Sequence, residues 1–369
     1  MRCLFLCMAL LLSACEVDVQ QNAPNVRVDQ AMGGQHDAGF ARAFKARTFQ
    51  FPQDHGAHPE FATEWWYLTG NLQSEEGRRF GYQLTLFRVG LHPGKVKQDS
   101  TWRTHQVYMG HLAVSDIDDT RHYSAERFAR AAAGLAGARA APFEVWLGSW
   151  SIRGGSETFP ITVSAQQENF GLSLQLHSGE KPMVLQGERG LSRKSATPGN
   201  ASYYYSYTRL PTDGELRIGD TLYTIEGDSW MDREWSSSAL DKDQAGWDWF
   251  ALQLDDSREV MFYQLRNKQG GAHAFSSGKL VEKNGRAITL KPDQVKLTAT
   301  RFWLAEDGTR YPVDWRLQVS DYQLDLQVQA LIDNQLMDHT VHYWEGAVDV
   351  TGSHTGKGYL ELSGYDNRE

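Results

Sequence analysis

Phe170-Gly171-Leu172-Ser173-Leu174-Gln175-Leu176 puts a large apolar side chain on every second residue and a small or polar one between. Successive side chains of a strand point to opposite faces, so this pattern buries one face and wets the other, as in an antiparallel sheet. The alternation returns twice. Val313, Trp315, Leu317 and Val319 alternate with Asp314, Arg316 and Gln318, and Tyr322, Leu324, Leu326 and Val328 alternate with Gln323, Asp325 and Gln327. The dipeptides Asp213-Gly214, Asn284-Gly285 and Asp307-Gly308 suit hairpin turns and are expected to separate strands. Many short strands joined by hairpins predict an all-β chain built from barrels or sandwiches. One segment reads differently. Residues 124–141 are Ala-rich, with Glu126, Arg127 and Arg130 as polar residues, and predict a minor helix that Gly134 and Gly137 weaken and Pro142 stops.

The start of the chain reads as an export signal. Arg2 supplies a positive charge, residues 4–12 form an apolar run, and Leu12-Ser13-Ala14-Cys15 follows. The run is shorter than the roughly 20 residues that span a bilayer and has the size of a signal-peptide core. Leu12-Ser13-Ala14-Cys15 resembles the lipobox of bacterial lipoproteins, which implies cleavage before Cys15 and lipidation of its thiol. Cys3, Cys7 and Cys15 are the only cysteines, so the mature chain would keep no free thiol and no disulfide. The expectation is a membrane-anchored protein on the periplasmic face, with outer-membrane sorting preferred because Glu16, rather than an aspartate, follows the cysteine.

Composition narrows the partners. A net charge of −9 argues against nucleic acid and against a polybasic membrane patch. Twelve tryptophans suggest aromatic cores or an aromatic-lined cavity. Glu64-Trp65 is followed by Gln83-Leu84 at the same offset at which Glu234-Trp235 is followed by Gln253-Leu254, a faint internal repeat that favours two related domains. The expected division is a signal peptide over 1–14, a flexible tether over 15–45, a first domain over 46–225 and a second over 226–369.

Three segments carry residues that a purely structural role does not explain. The first holds Asp54, His55 and His58, then Glu64, Trp65, Trp66 and Tyr67. The second holds Trp230, Met231, Asp232, Arg233, Glu234 and Trp235, then Trp247, Asp248 and Trp249. The third holds Tyr343, Trp344, Glu345 and Gly346, then residues 352–364. Together they closely resemble the AttH-like family, which includes the carotenoid 1,2-hydratases (hydroxyneurosporene synthases), from about Phe49 to Tyr365. The resemblance implies two tandem lipocalin-like antiparallel β-barrels. It also implies kinship with periplasmic proteins encoded beside ABC-transporter permeases, and with chains labelled secreted hydrolases.

The residues support several chemistries. His55 and His58 beside Asp54 have a spacing that zinc can use, with His111 as a guessed third ligand, and they equally suit a tight turn; no metal and no cofactor is expected. On a strand, Glu64 and Trp66 share one face while Trp65 and Tyr67 share the other. Glu64 is either a general acid among apolar rings or the buried partner of an arginine such as Arg233. Alternation puts Asp232 and Glu234 on one side and Arg233 on the other, so the two carboxylates can divide acid and base roles. Trp65, Trp66, Tyr67, Trp230, Trp235, Trp247, Trp249, Tyr263, Gln264, His55, His58 and Arg233 are the candidate ligand-binding set, with Asp232, Glu234 and Glu64 as candidate catalytic acids.

Hydratases of the resembled family protonate an alkene with a carboxylic acid and trap the cation with water, without a cofactor. This chain has Met231-Asp232-Arg233-Glu234-Trp235 where they carry histidines, and Gln264 where they carry their catalytic aspartate. Glutamine has no acidic proton to deliver. The expected role is therefore to bind a hydrophobic or lipid-like molecule, as the accessory of an ABC transporter. The alternative is a hydratase-type lyase or a hydrolase acting on a lipidic substrate. No Gly-x-Ser-x-Gly elbow supports a serine hydrolase.

Overall fold

The computed structural model describes residues 39–94, 100–238 and 240–365, and the backbone of residues 26–27. Cys15 and the signal-like start lie outside the described residues. Apart from two short 3-10 turns, Gln53–His55 and Ser320–Tyr322, every regular element among the described residues is a strand. The chain is all-β, in two curled antiparallel sheets that form barrel-like halves, in keeping with tandem lipocalin-like barrels.

The first sheet runs Arg121–Arg130, Gln106–Asp116, Arg79–Gly90, Thr63–Ser74, Thr221–Ser236, Ala201–Ile218, Phe170–Leu176, Thr158–Gln166, Trp150–Gly155, Phe143–Leu147 and Ala136–Ala140. The second runs Ala287–Leu290, Ser277–Val281, Glu259–Asn267, Gln244–Leu254, Gly356–Ser363, Val341–Gly352, Leu324–Ala330, Arg310–Val319 and Lys296–Leu304. The first two alternating stretches read from the sequence lie on strands, as does the third from Leu324 on, its Tyr322 belonging to the 3-10 turn before it and its Gln323 capping that turn; their apolar residues fill barrel interiors. Leu172, Leu174 and Leu176 join Leu68, Leu84 and Trp150 in the first core, while Val313, Leu317 and Leu326 join Phe250, Val348 and Leu360 in the second.

Four expectations are corrected. Residues 124–141 form no helix: Arg121–Arg130 pairs along its length with Gln106–Asp116, and Ala136–Ala140 forms a hairpin with Phe143–Leu147. Helix propensity is a weak preference that packing overrides. Tyr123, Ala125 and Ala129 pack on the first core at a period of two, and a side chain at Gly137 would strike the Trp146 ring at 2.5 Å. Asp213-Gly214 is not a turn but lies inside Ala201–Ile218, where a Cβ on Gly214 would meet the Ser173 carbonyl at 2.2 Å, so the glycine serves a close strand approach.

The expected boundary after residue 225 falls inside Thr221–Ser236, which pairs over its length with first-sheet strands. The change of sheet comes between Ser236 and Gln244. The expected tether also ends early. Ala43 is buried against a cluster that includes Phe61, Leu191 and Trp235, and Val26–Arg27 pairs in parallel with Val341–His342.

The halves pack face to face. Ala251, Met261, Ala347 and Tyr359 of the second sheet meet Tyr67, Tyr204 and Trp230 of the first. Ion pairs across the join reinforce it: buried Glu259 takes Arg209 Nε at 2.9 Å and the Lys181 ammonium at 2.5 Å. Gly81 lets the sheets approach, because a Cβ there would lie 2.7 Å from both Ala347 Cβ and the Tyr359 hydroxyl.

Candidate functional site between the barrels

Each strand at the join has two faces, and parity assigns its residues to them. In Thr221–Ser236, Met231, Arg233 and Trp235 point into the first barrel, while Asp232, Glu234 and Ser236 point toward the second half. The neighbouring strands keep the same sense. Asp232 lies opposite Tyr67 and Ser206, and Glu234 lies opposite Trp65 and Tyr204. From the second sheet, Trp247, Trp249, Tyr263, Tyr343, Glu345 and Glu361 face back. These two faces enclose a cavity of about 150 Å³. An apolar cavity of roughly this size takes a benzene-sized guest. The cavity lies between the barrels, whose own interiors are filled by side chains.

The cavity wall combines aromatic rings with four carboxyls, Asp232, Glu234, Glu345 and Glu361, and one ammonium, that of Lys194. Lys194 pairs with Glu234 at 3.2 Å and lies 4.3 Å from the Tyr263 ring centroid. Burial works against the Lys194 charge, but Glu234, Tyr263 and Asp232 outweigh it and hold its pKa above the usual lysine value. One cation cannot neutralise four carboxylates, so some of the acids keep their protons.

Asp232 accepts hydrogen bonds from Trp230 Nε1 at 2.7 Å, from the Ser206 hydroxyl and from the Tyr204 hydroxyl. Burial nevertheless pushes its pKa up to about 7, with the Glu234 charge adding to the effect and the three donors opposing it. Glu361 accepts from Trp247 Nε1 at 2.8 Å. Burial, with Asp232 and Glu234 adding, pushes it to about 7 as well. Glu345 is raised further, well above the usual carboxyl range, by burial and then by Glu361, against the pull of the Tyr67 and Tyr343 hydroxyls. The Tyr67 and Tyr343 hydroxyls face the Glu345 carboxyl, but none of these contacts closes a hydrogen bond of full geometry on its oxygens, which leaves polar capacity there for a bound molecule.

Of the candidates read from the sequence, Trp65, Tyr67, Asp232, Glu234, Trp247, Trp249 and Tyr263 line the cavity, and Trp230 backs it through its bond to Asp232. The structure does not bring Glu64, Trp66, Arg233, Trp235, His55 or His58 there. Glu64, Trp66, Arg233 and Trp235 occupy the opposite face of the same strands, and His55, in the 3-10 turn Gln53–His55, and His58, in the loop after it, pack against them. Glu64 is fully buried between the guanidinium groups of Arg88 and Arg233 and accepts the His58 backbone N–H at 2.9 Å. Burial opposes its charge, but the two arginines and His58 hold its pKa well below the usual range. That makes it a permanent anion rather than a proton donor. His58 stacks on Trp235 at 3.8 Å and bridges Asp54 and Glu64, while Arg233 lies 3.9 Å from the Trp66 ring centroid. His55 Nδ1 lies 2.6 Å from the Tyr205 hydroxyl, and burial, with Arg233, lowers its pKa to about 4.

Gln264 also points away from the cavity. Its amide donates to Asp248, which further binds Arg266 and the Tyr365 hydroxyl, all on the far side of their strands. Among the described residues no group of three or more His, Cys, Asp or Glu side chains could hold a metal ion. His111, the guessed third ligand, instead sits between Tyr343 and Glu126.

The sequence singled out the segments that hold Tyr343, Glu345 and Glu361 without assigning these residues to a site, and it gave no sign of Lys194 or Tyr204. A signal existed for Glu361. In Tyr359-Leu360-Glu361-Leu362-Ser363 the leucines fill the second barrel, so tyrosine and glutamate share the other face of a strand that is covered on both sides.

Two tandem antiparallel barrels with an acid- and ring-lined cavity between them define a class of tandem lipocalin-like β proteins. Within it, this chain belongs to the AttH-like family, whose model matches residues 42–365. A crystal structure of an AttH protein from Nitrosomonas europaea is 33% identical, with a TM-score of 0.79 over 89% of this chain and 100% of that one. Kievitone hydratase from Nectria haematococca shares the fold at 12% identity, with a TM-score of 0.66 over 88% of this chain and 98% of its own. The protein CghA shares it at 13% identity, with a TM-score of 0.54 over 92% and 99%. No curated protein matches the sequence.

Proposed function

We propose that the chain is a cofactor-independent lyase of the hydratase type, acting on an apolar unsaturated molecule held between the barrels. The observation that carries this reading is Glu345: a buried carboxyl at the wall of an aromatic cavity, raised well above the usual range by burial and by Glu361, and faced only by the Tyr67 and Tyr343 hydroxyls rather than by a cation. A carboxylic acid that keeps its proton at neutral pH is what protonation of an alkene requires. In this scheme Glu345 delivers a proton to one alkene carbon. The faces of Trp65, Trp249 and Tyr67 stabilise the cation that forms at the other. Water adds to that carbon, and Asp232, in its ionised form, takes up the proton the water releases. The sum is one water added across one double bond. Family membership and the fold of a hydratase support the same chemistry. Gln264 no longer counts against it, because the acids proposed here stand on other strands and on the other face.

The test is incubation of the full chain with a panel of isoprenoid and phenolic alkenes in oxygen-18 water. A labelled alcohol should form with wild type and drop at least about a hundredfold with Glu345→Gln, within the usual contribution of a general acid. No label with any alkene would remove the proposal.

A second reading has its own support. The rings of Trp65, Trp247 and Trp249 suit carriage of an intact apolar ligand, and the lipobox-like Cys15 would tether such a carrier to the periplasmic face of a membrane, beside an ABC-transporter permease. Stoichiometric capture of an unaltered apolar molecule, with no turnover of any alkene, would select it. Metabolic labelling with a radioactive fatty acid tests the anchor separately: label in wild type and none in Cys15→Ser is the expected outcome.

A further inference from the structure

From Tyr343 at the cavity wall, a set of polar side chains leads away from the cavity toward the surface. The Tyr343 hydroxyl, which faces the Glu345 carboxyl at the cavity wall, lies 2.8 Å from His111 Nδ1. His111 Nε2, on the other edge of the ring, lies 3.0 Å from Glu126 Oε1. His111 is fully buried, whereas 11% of the Glu126 side chain reaches solvent. Glu126 is held by the backbone N–H groups of Thr340 and Val341, at 3.2 and 3.4 Å. The other groups packed around the imidazole are Phe87, with ring centroids 5.4 Å apart, and His339, at 6.3 Å.

We propose that Tyr343, His111 and Glu126 form a proton relay linking the cavity acid Glu345 to solvent. The inference rests on reading Glu345 as the proton donor, and it supplies the step that such a donor needs after each turnover. Once the proton has gone to substrate, Glu345 is left as a carboxylate in a site whose mouth the product occupies. The relay reloads it from the rear. A solvent proton arriving at Glu126 passes to His111 Nε2. The imidazolium gives its Nδ1 proton to the Tyr343 oxygen as Tyr343 gives its hydroxyl proton to Glu345. Each station gains one proton and loses one, and no electrons are transferred. A turn of the ring restores the starting tautomer and leaves the proton on Glu345. Histidine suits the middle position because its two nitrogens can accept on one edge and donate from the other. Tyr343, His111 and Glu126 come from different strands of the two halves, so the relay exists only when the barrels are packed together.

The experiment needs no turnover, and toluene at saturating concentration fills the cavity so that Glu345 does not exchange through its mouth. Wild-type protein is mixed rapidly from water into deuterium oxide, and the carboxylic acid C=O band of Glu345 is followed by infrared spectroscopy, assigned by its loss in Glu345→Gln. The band should shift on deuteration at least about tenfold more slowly in Tyr343→Phe and in His111→Phe than in wild type, with Glu126→Gln also slowed. Tyr343→Phe keeps the ring and removes only the hydroxyl, so it carries the test if His111→Phe does not fold. Equal exchange rates in wild type and Tyr343→Phe would overturn the relay, even if the protein hydrates alkenes. Slowed exchange in a protein with no detectable turnover would sustain the relay and sink the lyase.

Discussion

Glu345 and Glu361 stand directly opposite one another on adjacent antiparallel strands, and both face the cavity. Like charges in that position repel, the more so away from water. Proton retention by the pair is therefore built into the strand register. Replacing Glu361 with glutamine removes the Coulombic push on Glu345 but leaves burial, the larger cause, in place. In Glu361→Gln the Glu345 titration should move down while staying above the ordinary carboxyl value. Carbon-13 NMR of labelled glutamate carboxyls reads this directly, and an unmoved titration would show that the two acids do not interact.

The cluster around Glu64 behaves in the opposite sense. Glu64→Gln leaves Arg88 and Arg233 buried without their counter-ion, and removing one partner of a buried ion pair costs about 3–5 kcal/mol. Urea unfolding at neutral pH should show a loss of that order. The pKa of Glu64 is depressed in the folded state, so its stabilisation is present above the ordinary value of 4.5 and is lost as pH falls below it. Wild type should therefore lose stability on acidification more steeply than Glu64→Gln.

Asp232 contributes with the reverse sign. Its folded pKa is raised from 3.8 to about 7, so the folded state holds the proton more tightly than the unfolded chain. This contribution is fully present below the unfolded value and is lost as pH climbs through about 7. Asp232→Asn should flatten stability between those values and be more stable than wild type at alkaline pH, by up to about 4 kcal/mol. Urea melts across this range check it; parallel curves for the two proteins would contradict the assignment.

If the cavity between the barrels is the binding site, filling it should abolish binding while leaving both barrel cores alone. Thr85 lines the cavity. Thr85→Trp should weaken capture of toluene, followed by calorimetric titration, at least about tenfold, with circular dichroism checking that the sheets stay formed. Undiminished capture would place the binding site elsewhere.

Much of this arrangement is legible in the sequence, because period two is a property of the backbone. Leu172, Leu174 and Leu176 announce a half-buried strand, and the same parity correctly separates Asp232 and Glu234 from Arg233. What parity does not say is which face looks into a barrel and which looks at the other half. Both faces of the central strands are covered, so Glu64 and Trp66 were as plausible at a ligand site as Trp65 and Tyr67. Residues 124–141 misled for a related reason: alanine favours a helix locally, but its small side chain also fits a strand laid across Gln106–Asp116. The segments of Glu345 and Glu361 stood out in the sequence, but that the two carboxyls face one another across one cavity follows only from pairing between distant segments, which a single sequence does not display.

The account stands on acids that keep their protons between the barrels. Its most direct test is a carbon-13 NMR titration of the Asp and Glu carboxyls in the full chain, with Asp232→Asn and Glu345→Gln providing the assignments. The prediction is that Glu345 stays protonated at neutral pH and that Asp232 titrates near pH 7. Ionisation of both carboxyls by about pH 5, close to the ordinary carboxyl range, would contradict it.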